Sequence, residues 1–295
     1  MFTRILLPTD FSSHARKTLE CFLGLKEIGV KEIILITVVD DRGVEYPVAQ
    51  DMAAEVEKKL EEIRSKVEKE GFSVRAVVRK GSPYLEILKA AEEEEVTLIA
   101  LGSHGKSPLE EVLLGSVSER VVREAKVPVL IVRYRLLEGE EGVVLERVSE
   151  NTFRKILYPT DFSTCSENTL RYIESLKTAG AEEVLVAHTI DERHITRESL
   201  EDVRIARRHS LERIKEELET WEYKVKVSLS TGVPLARILD IAEEEDISII
   251  VLGSHGKGLV KEMLLGSVSE NVVRMAKRPV LVIHERDVGG LEDSR

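Results

Sequence analysis

The sequence predicts an α/β fold built twice, each copy a five-stranded, doubly wound parallel sheet. Short apolar runs alternate with amphipathic stretches, the pattern of strand–helix–strand units. The pattern recurs at a fixed offset: Asp10 aligns with Asp161, Asp40 with Asp191, Gly81 with Gly232, Gly102 with Gly253 and Pro128 with Pro279, each pair 151 residues apart. The repeat is densest in its glycine-rich segment, where twelve of the seventeen positions from 102 to 118 are identical in 253 to 269. A period this long describes a duplicated domain and not a solenoid.

Each copy opens with a short apolar run, Arg4 to Leu7 or Lys155 to Tyr158, that stops at Pro-Thr-Asp-Phe-Ser, residues 8–12 and 159–163. Proline ends the strand, and Ser12 or Ser163 can cap the next helix, marked in the first copy by Leu19, Phe22, Leu23 and Leu25. The second strands run Glu32 to Val39 and Glu183 to Ile190 and are apolar enough for buried parallel strands. Long polar helices are expected over 49–70 and 198–220, with Val56, Leu60, Ile63 and Val67 as one apolar stripe.

Third strands over 74–78 and 224–229 lead to turns at Gly81 and Gly232 and to helices beginning at Pro83 and Pro234. The acidic runs at 92–95 and 243–246 oppose the helix dipole and read as solvated helix ends. Fourth strands precede the glycine turns, and the fourth helix of the first copy is expected over 109–126. Fifth strands, 128–134 and 279–284, close each copy. The domains are thus 1–134 and 152–286, with a linker over 135–151 and a loose tail over 287–295. Strands alternating with helices imply right-handed crossovers with helices on both faces, and ligands in such sheets bind where the strand order reverses. If strands 1 and 4 are neighbours there, Asp10 and the turn at Gly102 face one crevice.

Composition narrows the partners. The 295 residues suffice for two domains with their own cores, and 42% hydrophobic with 33% charged residues describes a globular chain. No apolar run is long enough to span a membrane, and Met1 leads straight into Ile5-Leu6-Leu7 without a signal peptide, so no membrane partner and a cytoplasmic location are expected. A net charge of −11, with no basic stripe, argues against nucleic acid. Cys21 and Cys165 are not repeat partners, which fits free thiols and neither a disulfide framework nor a metal pattern.

The chemistry is expected in Gly102-Ser-His-Gly105-Lys106, with nine residues between Gly105 and Gly115-Ser116-Val117-Ser118. Glycines directly after a strand let backbone amides approach an anion, and a β-carbon at Gly105 or Gly256 is expected to project toward it. Walker A is excluded, because Ala100 stands where that pattern needs glycine and Gly258 where it needs Ser or Thr; G-x-G-x-x-G is missing too. His104 and His255 read as loop histidines bonding backbone or phosphate, not as general bases, and Lys106 and Lys257 as cations near the phosphates or simply exposed.

Pro-Thr-Asp-Phe-Ser after strand 1 combined with G-x2-G-x9-G-S resembles the universal stress protein family, specifically its ATP-binding branch, as a tandem two-domain member. The resemblance implies a Rossmann-like, adenine nucleotide alpha hydrolase-like fold and one adenine-nucleotide site per domain, for ATP or AMP, with Mg2+ only as the ion carried by ATP. It implies binding by Pro8, Thr9 and Asp10 in the first domain and Pro159, Thr160 and Asp161 in the second. Strand 2 contributes Val38 and Thr189 through the backbone; Thr189 departs from the small apolar residue usual there. The loops contribute Leu101, Gly102, His104, Gly105, Gly115, Ser116, Val117 and Ser118, matched by Leu252, Gly253, His255, Gly256, Gly266, Ser267, Val268 and Ser269. The Asp carboxylates would accept from ribose or the adenine amino group, and Ser116 and Ser267 would donate to phosphate.

The expected function is that of a stress-related sensor or switch, with no catalytic residue and no metal site assigned. A slow ATPase or phosphotransferase is the alternative, lacking an evident base, an arginine finger or a Walker-type Mg2+ ligand set. The family also implies an internal pseudo-dimer through the fifth strands, 129–132 and 280–283, with a homodimer of chains as a further association.

Overall fold

The computed structural model describes residues 2–12, 15–16, 18–20, 29–40, 46–102, 114–133, 136–139, 142–145, 152–194, 197–256 and 265–284. The chain divides into two compact units, Met1–Ser149 and Glu150–Arg295. The sequence marks at Cys21, Phe22, Leu23, Leu25, His104, Gly105, Lys106, Leu109, Lys257 and Gly258, and the 287–295 tail, lie outside the described residues.

In the first unit, strands β1 (Arg4–Pro8), β2 (Glu32–Val39), β3 (Ser73–Lys80), β4 (Leu98–Gly102) and β5 (Val129–Val132) form a parallel sheet in which β2 pairs with β3 and β1, β1 with β4, and β4 with β5. The order therefore reverses between β1 and β4, as the crevice argument requires. Helices α1 (Tyr46–Lys69), α2 (Pro83–Glu93) and α3 (Ser116–Glu124) are joined by further helical residues among 15–20. On α1, Leu60 and Val67 are buried and Val56 and Ile63 half-buried, so the predicted stripe is the face the helix turns inward. β2 is buried along most of its length, which its run of isoleucine, leucine and valine dictates.

An antiparallel hairpin, β6 (Leu136–Gly139) with β7 (Gly142–Leu145), occupies much of the segment expected as a linker. Its signal was in the sequence: apolar pairs flank two glycines at a tight-turn spacing, but the surrounding glutamates mask it.

The second unit repeats the first element for element, each 151 residues later: β8 (Lys155–Pro159), β9 (Glu183–Ile190), β10 (Lys224–Thr231), β11 (Ile249–Gly253) and β12 (Val280–Ile283), with α5 (Arg197–Thr220), α6 (Pro234–Glu244) and α7 (Ser267–Met275). Pairing follows the same order, β8 lying between β9 and β11. Here the first helix is fully described as α4 (Thr164–Leu176), and Ser163 caps it by accepting from the Ser166 amide.

Two expectations are corrected. The fourth helix does not run from 109 through 126: Gly115 has an extended backbone (φ −64°, ψ 147°), so α3 begins at Ser116. The acidic helix ends are not simply solvated, because Glu92 pairs with Lys126, Glu93 with Arg79, Glu94 with Arg75, and Asp246 with Arg278 at 3.0 Å. Such surface pairs are worth at most about 1 kcal/mol each. Among the described residues no helix is long and apolar enough to cross a membrane.

Candidate functional site

In the second unit the ends of β8, β9 and β11 and the start of α7 surround a cavity of about 630 Å3. Its wall includes Pro159, Thr160 and Asp161 from β8 and the turn after it, and Thr189 from β9. Leu252, Gly253, His255 and Gly256 come from β11 and its loop, and Gly266, Ser267, Val268 and Ser269 from the start of α7. The first unit holds a cavity of about 560 Å3 lined by Pro8, Thr9, Asp10, Val38, Leu101, Gly102, Gly115, Ser116, Val117 and Ser118. His104 and Gly105 lie outside the described residues.

The turn after each first strand is built by its own side chains. Phe11 and Phe162 sit in the left-handed region at φ 61° and 60°, an unfavourable place for a bulky residue. The Thr9 hydroxyl accepts from the Phe11 amide at 3.2 Å and Asp10 Oδ1 from the Ser12 amide at 3.0 Å; Thr160 and Asp161 repeat both bonds at 3.0 Å. The Thr-Asp pair thus clasps a strained turn, with Oδ1 of the carboxylate as part of the clasp. Asp161 Oδ2 lies against Gly256, where a β-carbon would stand 2.5 Å away. A side chain at 256 would therefore meet Asp161, which corrects the expectation that it projects toward a bound anion.

The other glycine of the loop has a different reason. A β-carbon on Gly253 would fall 2.8 Å from Cys165 Sγ and 3.2 Å from the Cys165 carbonyl oxygen, so glycine there lets α4 start against the end of β11. The loop is then tied to the helix, since the Gly266 amide donates to the Ser254 carbonyl at 2.7 Å.

Gly115 and Gly266 are extended N-caps of α3 and α7, and their carbonyls accept from Glu119 and Glu270. The amides of the first three residues of each helix have no acceptor within the helix, and they carry the positive end of the dipole. Ser116 and Ser267 are exposed at these ends. Ser118 and Ser269 are not spare donors: their hydroxyls donate back to the carbonyls of Gly102 and Gly253, at 3.1 and 2.8 Å. They lace the helix start to the strand end. His255 Nδ1 lies 2.7 Å from the Ser254 hydroxyl. Among the described residues no group of three or more His, Cys, Asp or Glu side chains is placed to hold a metal ion.

Several wall residues were not singled out as site residues from sequence. Asp40 and Asp191, noted only as repeat landmarks, line their pockets, as do Pro83 with Ile87 and Pro234 with Ile238. The latter follow from the turns at Gly81 and Gly232, whose φ of 127° and 131° needs glycine and points each helix start at the cavity. The isoleucine one turn on falls on the same face.

The two pockets differ in a correlated way. Leu7, Ala15 and Thr37 of the first unit correspond to Tyr158, Ser166 and His188 of the second. The Tyr158 hydroxyl donates to the Ser166 carbonyl at 2.6 Å and lies 2.8 Å from the Ser166 hydroxyl, which donates to Thr160 Oγ1 at 2.7 Å. Burial pushes Tyr158 up to about 12, while its bonds to Ser166 and Thr160 act the other way. His188 Nδ1 is 2.7 Å from the Thr160 carbonyl, and its ring packs on Phe162 with centroids 4.6 Å apart. The second turn therefore rests on a polar network where the first has the apolar Leu7 and Ala15 and the smaller Thr37.

Fold and pockets together define a tandem of doubly wound α/β domains, each with a ligand-sized cavity where its strand order reverses. The chain belongs to the universal stress protein family, whose sequence model matches residues 1–133 and again 152–284. It is 38% identical over 157 residues to universal stress protein MJ0577 of Methanocaldococcus jannaschii, covering 46% of this chain and 97% of that protein. A universal stress protein of Mycolicibacterium smegmatis is 27% identical across 96% of this chain and 97% of its own length. The crystal structure of a universal stress protein from Archaeoglobus fulgidus matches 97% of this chain and 99% of its own, with a TM-score of 0.75 at 31% identity.

Proposed function

We propose that this protein binds one adenine nucleotide in each domain and acts as a nucleotide-responsive sensor or switch. The observation that carries the proposal is the pairing, in each pocket, of a carboxylate held at the end of the first strand with an open helix N-terminus beyond the fourth. A nucleotide presents hydroxyl and amino donors at one end and anionic oxygens at the other, so the two ends of the cavity match the two ends of the ligand. Volumes of about 630 and 560 Å3 fall in the roughly 300–1,000 Å3 range of small-molecule pockets.

In this proposal Asp10 and Asp161 accept from the ribose or base. Val38 and Thr189 border the base from the second strand, and Ser116 and Ser267 with the first amides of α3 and α7 hold the phosphates. Gly102 and Gly253 give the strand end its close packing, and Gly256 leaves room for Asp161. ATP and AMP share every group this arrangement addresses, and Mg2+ would arrive on ATP.

Native mass spectrometry of freshly purified protein, with chromatography of what is released on denaturation, tests the proposal. Two adenine nucleotides per chain, with ATP stable on incubation, are expected. ADP or AMP accumulating from added ATP would replace the switch with a slow ATPase or phosphotransferase at the same sites. Failure to take up any nucleotide would overturn nucleotide binding.

A further inference from the structure

The two copies share a loop histidine in sequence, His104 or His255, but only the second has a histidine on its second strand. His188 lines that pocket where Thr37 lines the first. Its Nδ1 lies 2.7 Å from the Thr160 carbonyl oxygen, which has no proton to give, so Nδ1 carries the hydrogen and donates. In the neutral ring Nε2 is then the atom that takes up a proton, and charging the ring leaves its anchor to Thr160 intact.

Among the described residues, the charged and titratable groups on the wall of this pocket or beside its ring are these. Asp161 follows β8, Asp191 follows β9 and is bonded to Arg193, and His255 follows β11, the three on the wall of the same pocket, while Arg207 of α5 lies 5.4 Å from the centroid of the Phe162 ring. The strand partner on β10 is the apolar Leu229, and α6 contributes Pro234 and Ile238. Asp191 is already paired with Arg193, whose Nε lies 2.8 Å from Oδ1, so the Asp161 carboxylate is the group of this wall that favours the imidazolium, and the Arg207 guanidinium opposes it. A polyanionic ligand entering this cavity adds further negative charge and favours the charged ring again.

We propose that His188 makes the second pocket a proton-linked nucleotide site, which gains affinity as pH falls through the histidine range, while Thr37 leaves the first pocket without that linkage. This rests on the nucleotide proposal above. The reciprocal also holds: nucleotide binding takes up protons at His188. A duplicated chain built this way responds to nucleotide with one domain and to nucleotide and acidity together with the other.

The test is calorimetric titration of the full chain with ATP from pH 5.5 to 8, repeated in buffers of different ionisation enthalpy, for wild type, His188→Gln, His188→Thr and Thr37→His. Ionisation of ATP itself and of His104 and His255 is common to all four proteins, so differences between them isolate position 188 or 37. In wild type one of two sites is expected to tighten by up to about tenfold toward low pH, the factor that one pKa unit of linkage gives. Both His188 variants should lose that gain and its proton uptake; Gln keeps a donor for Thr160 but does not titrate. Thr37→His leaves the second pocket intact and should add proton uptake at the first. Variants with the wild-type pH profile, or affinity that falls toward low pH, would overturn the role of His188 while two bound ATP per chain preserved the nucleotide sites. No ATP uptake by wild type at any pH would overturn both.

Discussion

The Asp161 carboxylate and the backbone of Gly256 stand so close that a β-carbon at residue 256 would lie 2.5 Å from Oδ2. Asp161 ends the first strand of its domain and Gly256 follows the fourth, so two motifs far apart in sequence meet as a single contact. Because Oδ1 already accepts from the Ser163 amide, the carboxylate cannot retreat without breaking the turn. Gly256→Ala is therefore expected to displace Asp161 and weaken nucleotide binding at the second pocket by about 1–3 kcal/mol, the scale of a charged hydrogen bond. Residue 256 has no left-handed backbone to lose. The melting temperature should fall no further than in Asp161→Ala, which loses the same turn bond, and calorimetry should show one tight site in place of two. Two tight sites in Gly256→Ala would separate this contact from binding.

Gly253→Ala should behave in the opposite way. Its β-carbon would meet Cys165 Sγ at 2.8 Å and the Cys165 carbonyl at 3.2 Å, so the start of α4 must move off β11. Overpacking of this kind costs roughly 1–3 kcal/mol, read as a lower denaturation midpoint. Adding Cys165→Ala removes the sulfur but not the carbonyl, so the double variant should recover part of the loss. Full recovery would show that the backbone contact is unimportant.

The strand ends and the loops could be read from the sequence because proline, aspartate and glycine mark turns one residue at a time, and the repeat prints each mark twice. Pairing of β1 with β4 stood in that reading only as a condition, and the sheet meets it. His188 was hidden because it stands in an apolar strand at the position that Thr37 holds in the first copy, and nothing in its spacing ties it to Thr160 until β8 and β9 pair in register. The inward bonds of Ser118 and Ser269 were hidden for a similar reason: a serine at a helix start reads as a donor to solvent or ligand, and only the packed strand end offers it a carbonyl. Gly253 was legible as a glycine but not as a packing glycine, since Cys165 has no counterpart cysteine in the first copy to mark the contact.

Asp161→Asn and Asp161→Ala should separate charge from architecture. Asparagine keeps an acceptor for the Ser163 amide, so the turn that holds Phe162 at φ 60° should persist. Its stability should remain within about 0.5 kcal/mol of wild type, as expected where no buried contact is lost, while affinity at the second pocket falls. Alanine removes the clasp as well, and the left-handed residue then loses one of the two bonds that keep it there; a strained backbone position of this kind costs about 1–3 kcal/mol. Asp161→Ala should therefore unfold at a lower temperature than Asp161→Asn. Equal melting temperatures for the two would show that the carboxylate does not hold the turn.

Tyr158 gives the second domain an alkaline weakness that the first lacks, because Leu7 fills the matching position. Burial raises the Tyr158 hydroxyl from an ordinary value of 10.0 to about 12, so the folded domain keeps its proton over a range in which the unfolded chain has released it. The stabilisation is complete below pH 10 and is lost as pH rises through about 12, since in that window the folded state binds more protons than the unfolded one. Tyr158→Phe removes this dependence along with the bonds to Ser166. At neutral pH it should cost about 1–2 kcal/mol, for a buried carbonyl and hydroxyl that lose a partner. Between pH 10 and 12 its stability should fall less steeply than that of wild type, so that the two denaturation curves converge. Parallel loss of stability in both proteins across that range would show that Tyr158 is not the group that titrates.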